Sequence, residues 1–222
     1  MEKPIFPSEY MRITQGYNIG THKDSYAFDN AGIDSGISEL YAPFTGIIKK
    51  IYPNDANEVW LESIEPVEYP DGTIDYMTIM FAHDNDISNL FVGKRINQYE
   101  TFYHEGTKGN VTGNHCHIEC GKGKYTGTGW HKNNSGYWSI NNGKKPEDCL
   151  WINDNIKVIN NNNYNFKKIS TNSVDKIKEE KIEKIVEKED KDKIKFEFTA
   201  PSNDLYGVYL KEKEKIIIEK LS

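Results

Sequence analysis

Along the first 160 residues, apolar positions recur in short alternating or continuous runs broken by Gly, Pro, Asn and Asp, a pattern that predicts strands. Residues 40–52 read as a strand, a Pro-Phe-Thr-Gly turn and a second strand. Residues 58–64 and 74–82 form two further apolar runs, separated by Pro66, Pro70 and Asp71-Gly72, a hairpin signal. Residues 87–92 allow a short helix or turn, and residues 96–102 read as another strand. A glycine-rich loop with Gly106, Gly109 and Gly113 then leads into a strand over Gly113–Cys120. Upstream, Tyr26, Phe28 and Ala31 set a short alternation that places Asp29 opposite the apolar face, with His22 in a preceding loop. Helical patterns are few: one turn from Pro146, before a last strand at 156–159. The fold class predicted is mainly β, an antiparallel sheet or sandwich folded on itself so that loops meet over one sheet.

Residues 122–138, rich in Gly, Tyr, Trp and Asn, read as irregular loops with aromatic faces suited to sugars or peptides, or as plain surface loops. Four asparagines at 160–163 mark a break in composition and suggest a linker. Residues 173–192 carry Lys, Glu and Asp around Val174, Ile177, Ile182, Ile185 and Val186, the spacing of a solvated helix or one that self-associates. The tail alternates again through Phe196, Phe198, 205–210 and 216–218, too short to bury much area alone. Three parts follow: a main domain over 1–159, a linker over 160–193 and a small β-rich segment over 194–222. The last is expected to dock, attach to a surface or pair with another copy.

Composition narrows the function. The chain has 222 residues and a net charge of −6, which argues against nucleic-acid backbones as the main partner. No run of about 18 apolar residues exists, so no membrane insertion is expected. The opening Met-Glu-Lys-Pro-Ile-Phe-Pro lacks a basic segment followed by an apolar run, so no secretory signal is expected and synthesis is placed in the cytoplasm. Of three cysteines, Cys116 and Cys120 share a strand face about 13 Å apart, too far for a disulfide. Free buried thiols are expected.

The chemistry centres on His115-Cys116-His117-Ile118-Glu119. On a strand, His115, His117 and Glu119 point one way, and Cys116, Ile118 and Cys120 the other. Two imidazoles held together suit zinc, although a lone His-x-His is a weak signal. Glu119 either orients a ligand or, the reading preferred here, ends the strand in solvent.

Four pieces in order carry a resemblance. They are Thr21-His22 with Asp29, then Tyr41-Ala42-Pro43-Phe44-Thr45-Gly46-Ile47-Ile48, then Met80-Phe81-Ala82-His83, and finally Gly109 to His117. Together they resemble the lysostaphin/LytM-type zinc metallopeptidases (peptidase family M23), including phage endolysins, over roughly residues 13–120. The resemblance implies His22, Asp29 and His117 as zinc ligands, and His83 and His115 as catalytic histidines. One departure is the spacing, since six residues separate His22 from Asp29 where the family usually places three or four. Asp24 is the rival carboxylate, and Tyr17 lies near where relatives place an oxygen-steadying tyrosine. His104 and His131 have no counterpart and read as exposed. The family's substrate is bacterial peptidoglycan, cut at peptide bonds. Absence of an export signal then suggests an endolysin that reaches the wall after release. A silent binding module, an amidase and a phage tail component are the competing readings.

Overall fold

The computed structural model describes residues 1–33, 36–169, 195–199, 205–211 and 215–221, in two units, Met1–Ser170 and Thr171–Ser222. The first unit begins with β1 (Tyr10–Gln15), β2 (Phe28–Asn30), β3 (Glu39–Tyr41), β4 (Gly46–Tyr52) and β5 (Glu58–Ser63). It continues through β6 (Val67–Glu68), β7 (Ile74–Asp75), β8 (Met77–Ala82), β9 (Arg95–Ile96) and β10 (Thr101–His104). It ends with β11 (Cys116–Lys122), β12 (Trp130–Lys132), β13 (Trp138–Ile140), β14 (Gly143–Lys144), the single turn α1 (Pro146–Cys149) and β15 (Lys157–Asn160). The expected mainly β class is what the chain adopts.

The organising sheet runs β15-β1-β2-β11-β8-β5-β4-β9, with β14 also paired to β11. All its pairings are antiparallel except β1 with β15. Register decides which side chains share a face. His117 stands opposite Asp29 on one side and Ala82 on the other, and Glu119 stands opposite Met80, which in turn faces Trp60. The alternate positions, Phe28, Val59, Leu61, Ile79, Phe81, Cys116, Ile118 and Cys120, are buried in the main core. Leu40, Phe102 and Tyr103 of the β3–β10 ribbon, with Phe6, Phe44, Tyr164 and Phe166, complete that core. A smaller cluster of Ala56, Trp60, Met80, Ala82 and Ile140 lies with the first set. The central strand β8, Met-Thr-Ile-Met-Phe-Ala, is therefore buried at every position, as a strand covered on both faces must be.

Three expectations change. The run 96–102 is two strands, because residues 97–100 form a turn in which Tyr99 takes φ +69. Part of 122–138 is not irregular: β12 and β13 pair from Trp130 opposite Ile140 to Lys132 opposite Trp138. The asparagine run is not a domain boundary, since Tyr164 and Phe166 beyond it are buried and the unit reaches Ser170. In the second unit, β16 (Lys195–Thr199), β17 (Leu205–Lys211) and β18 (Lys215–Leu221) form an antiparallel three-stranded sheet. The helix expected over 173–192 lies outside the described residues. Among the described residues no helix is long and apolar enough to cross a membrane. Cys116, Cys120 and Cys149 are free and buried, as expected.

Candidate metal centre

His22, Asp29 and His117 come together from three places in the chain, each offering one donor atom within 4.8 Å of the others. His117 Nδ1 lies 3.1 Å from both His22 Nε2 and Asp29 Oδ1, and His22 Nε2 lies 3.3 Å from Asp29 Oδ1. Asp29 and His117 are cross-strand neighbours on β2 and β11, so the pleat itself aims both at one point. His22 arrives on a short 3-10 turn, Gly20–His22, entered through Gly20 at φ +55. The His22 carbonyl accepts from the Asn18 and Ser25 amides and the Ser25 hydroxyl, which pins the turn.

The ring tautomers follow from the partners, because a backbone carbonyl only accepts. His22, His83 and His115 each direct Nδ1 to a carbonyl, of Gly16 at 3.1 Å, Lys108 at 2.8 Å and Gly113 at 3.1 Å. Nδ1 therefore carries the proton and Nε2 is left as acceptor. His117 is reversed: its Nε2 lies 3.3 Å from Glu119 Oε1, leaving Nδ1 for the cluster. Glu119 does not end in solvent. It is buried, and its Oε2 accepts from the Ile140 amide at 3.1 Å, tying β11 to β13.

His83 and His115 flank the three, with ring centroids 4.8 Å apart, and His115 Nε2 is 3.8 Å from Asp29 Oδ2. His83 takes φ +91, a strained position for a residue with a Cβ. Its amide donates to the Ala56 carbonyl at 2.7 Å and its carbonyl accepts from the Lys108 amide at 3.0 Å, which hold it there. All five predicted residues line one cavity of about 500 Å³.

The electrostatics favour a cation at the convergence point. Burial alone pushes the Asp29 carboxyl up, but the adjacent His117 and His22 imidazoles reverse this and hold it well below the usual carboxylate range. Burial alone pushes His117 down, and its bonds to Asp29 and Glu119 overcome that to raise it to about 10. His83 behaves oppositely. Burial, then the nearby charge of His117, lowers it to about 4 against the opposing Lys108 bond. Asp55, Glu58 and Glu119 also line the cavity, with no lysine or arginine. Two imidazole nitrogens with defined tautomers and one ionised carboxylate, backed by a buried second carboxylate, are a donor set that fits zinc.

Other sequence expectations resolve by distance. Asp24 points away and accepts from the Ser135 hydroxyl at 2.6 Å. Tyr17 does not line the cavity; its hydroxyl bonds Glu147 at 3.0 Å and its ring stacks on Tyr164. His104 is not simply exposed but bonds the buried Asp84 at 3.1 Å. His131 is exposed. The sequence reading gives 122–138 aromatic faces but not their place: Trp130 and Trp138, joined by Tyr52, wall the cavity, and the Lys50 ammonium sits 3.7 Å above Trp130. The run of Gly, Tyr and Trp was the available signal.

No family model matches the chain. Over 125 residues, 55% of its length, it is 33% identical to Morphogenesis protein 1 of Bacillus phage B103. Among solved structures it is similar to the catalytic domain of the antimicrobial peptidase lysostaphin from Staphylococcus simulans, at 17% identity and TM-score 0.41, covering 61% of this chain and 89% of that one. It is also similar to LytU, at 21% identity and TM-score 0.42, covering 62% and 82%. A zinc-containing peptidase from Vibrio cholerae aligns at 18% identity and TM-score 0.38, covering 52% and 36%. The chain spans about a third of the length of the phage protein and of the Vibrio peptidase: 33% and 36%.

Proposed function

We propose that this chain is a zinc-dependent endopeptidase of the lysostaphin/LytM kind that hydrolyses peptide bonds of bacterial peptidoglycan. The observation that carries the reading is the convergence of His22, Asp29 and His117, with His83 and His115 beside them in one cavity. His22 Nε2, Asp29 Oδ1 and His117 Nδ1 would hold the ion. Three protein ligands leave a coordination position open, and zinc there supplies Lewis acidity and an activated water.

The protein's own part is proton handling and orientation. His83, held neutral by burial, keeps its Nδ1–H on the Lys108 carbonyl and presents Nε2 as a proton acceptor. His115, with Nδ1 likewise occupied by Gly113, presents Nε2 beside it, the two rings 4.8 Å apart. One takes the proton of the attacking water at Nε2, and the imidazolium so formed steadies the developing oxyanion and passes that proton to the departing amine. Glu119 orients His117 and raises its basicity as a ligand. The aromatic wall of Trp130 and Trp138 offers flat faces to the stem peptide or its sugar.

The test is digestion of purified bacterial walls with and without a chelator, with new amino termini identified by mass. Release of chelator-sensitive peptide amines supports the reading; intact peptides from zinc-saturated protein, or free muramyl groups in their place, defeat it. A second reading, a wall-cutting component of a phage particle instead of a free endolysin, is favoured by the relative named as a morphogenesis protein. Co-purification with assembled virions distinguishes the two.

A further inference from the structure

Resting on the reading of His83 and His115 above, we propose that Gly106–Lys108 is a positioning segment that sets both histidines from the backbone, with Gly106 as its critical residue. The Gly106 amide donates to the His115 carbonyl at 3.0 Å, and the His115 amide donates back to the Gly106 carbonyl at 3.2 Å. Two residues on, the Lys108 amide donates to the His83 carbonyl at 3.0 Å, and the Lys108 carbonyl accepts from His83 Nδ1 at 2.8 Å. Thr107 between them is fastened by Asn85, whose Oδ1 accepts from its amide at 3.0 Å and its hydroxyl at 3.3 Å. One histidine is thus held by its main chain, and the other by main chain and ring.

Gly106 has no room for a side chain. A Cβ there would collide with the His83 carbonyl oxygen and come within 3.0 Å of the Asn85 amide nitrogen. Both obstacles are backbone, and His83 is already pinned at φ +91, so they cannot move aside freely. Gly106 is not in a left-handed conformation, so alanine meets no objection from its own φ. The substitution therefore acts on where His83 sits. None of the three residues lines the cavity, which makes them positioning residues and not catalytic ones.

Gly106→Ala in the full chain, loaded with zinc, is expected to lower kcat about 100-fold, the cost of an ångström of misplacement, while KM stays within about twofold. Zinc affinity, measured by competition with a chromophoric chelator, is expected to stay within about twofold of the parent. The hydrogen-bonded Nδ1–H of His83 gives a direct signature: a protected imidazole proton in the NMR spectrum, assigned by its loss in His83→Ala, that shifts or vanishes in Gly106→Ala. Asn85→Ala, which unfastens Thr107 without intruding, is expected to lower kcat about tenfold at unchanged KM, and it carries the test if Gly106→Ala does not fold. Folded Gly106→Ala with parental kcat and an unmoved His83 resonance overturns the proposal, as does an unaltered kcat in Asn85→Ala when Gly106→Ala is lost to misfolding. If the parent chain cuts no wall peptide but the resonance moves in Gly106→Ala with zinc retained, the peptidase reading fails and the positioning role stands.

Discussion

Glu119→Gln keeps the size and shape of the side chain, yet it should damage the metal centre. The Glu119 carboxylate is 2% exposed and accepts two hydrogen bonds, from His117 Nε2 and from the Ile140 amide. Glutamine has one oxygen and one NH2, so at one of these two donors it presents another donor. A buried donor left without an acceptor costs about 1–3 kcal/mol. If Gln keeps its oxygen on Ile140, His117 loses its orienting partner and the cost falls on metal binding. At about 1.4 kcal/mol per tenfold, zinc affinity should drop about 10–100-fold, the range seen for losing a group that orients a ligand. If the oxygen stays on His117, the cost falls on the β11–β13 tie instead, and a destabilisation of that size lowers Tm by about 3–10 °C in a domain of this length. Chelator competition and thermal unfolding with and without zinc separate the two outcomes. Glu119→Gln with parental zinc affinity and parental Tm would refute the assignment of Glu119 as the orienting carboxylate.

Other predictions follow from the same geometry. His117→Ala is expected to abolish tight zinc binding, whereas His83→Ala keeps zinc and loses about 10²–10⁴-fold in turnover; equilibrium dialysis beside wall digestion checks both, and full-rate digestion by His83→Ala would remove its proton-transfer role. Tyr69 and Tyr103 are pushed up by burial from an ordinary value of 10.0. Their neutral forms stabilise the fold fully below about pH 10 and progressively less above it, so urea midpoints should fall as the pH is raised beyond about 10, with phenolate absorbance from these two rings appearing only on unfolding. Cys116, Cys120 and Cys149 are at most 1% exposed, so a chromogenic disulfide reagent should find no reactive thiol until denaturant is added. Rapid labelling of any of them in the folded protein would contradict the packing of the main core.

Much of this arrangement is legible in the sequence because strands write their facing into alternation. His117 and Glu119 on one side of β11, with Cys116, Ile118 and Cys120 on the other, follow from a period of two, and the structure places them so. Asp29 opposite Phe28 follows the same rule on β2. Partners are harder to read. Alternation puts Glu119 on the His117 face but says nothing about β13 folding over that face, and the β13 amide is what turns a strand end into a buried site. The tyrosine at 17 is misplaced for a related reason. Its place in the sequence, near where relatives carry an oxygen-steadying tyrosine, suggests the site, but Glu147 and Tyr164, far along the chain, capture it. Tyr164 itself sits beyond four asparagines whose composition signals a break, and a solvated-looking run says nothing of the aromatics that follow it into the core.

Register, more than any single bond, makes the centre possible. β2 has only three residues, and slipping it by one would bury Asp29 in the core and bring Phe28 to the metal face. Two features oppose that slip, one on each side of Asp29 in sequence and both on the face away from it. Phe28 is fully buried, its ring 5.9 Å from Phe6. Asn30, 2% exposed, uses both ends of its amide on β1, accepting from the Arg12 amide at 2.8 Å and donating to the Tyr10 carbonyl at 3.0 Å. A slipped register would leave that amide and both backbone groups unpaired as well as exposing an aromatic ring, so the penalties add on the same side. The acid that completes the cluster is thus placed by its two neighbours in sequence, one apolar and one polar. This is why the longer interval between His22 and Asp29 is tolerated. The interval is absorbed by the turn that carries His22 and the loop after it, while Asp29 is located by its own strand.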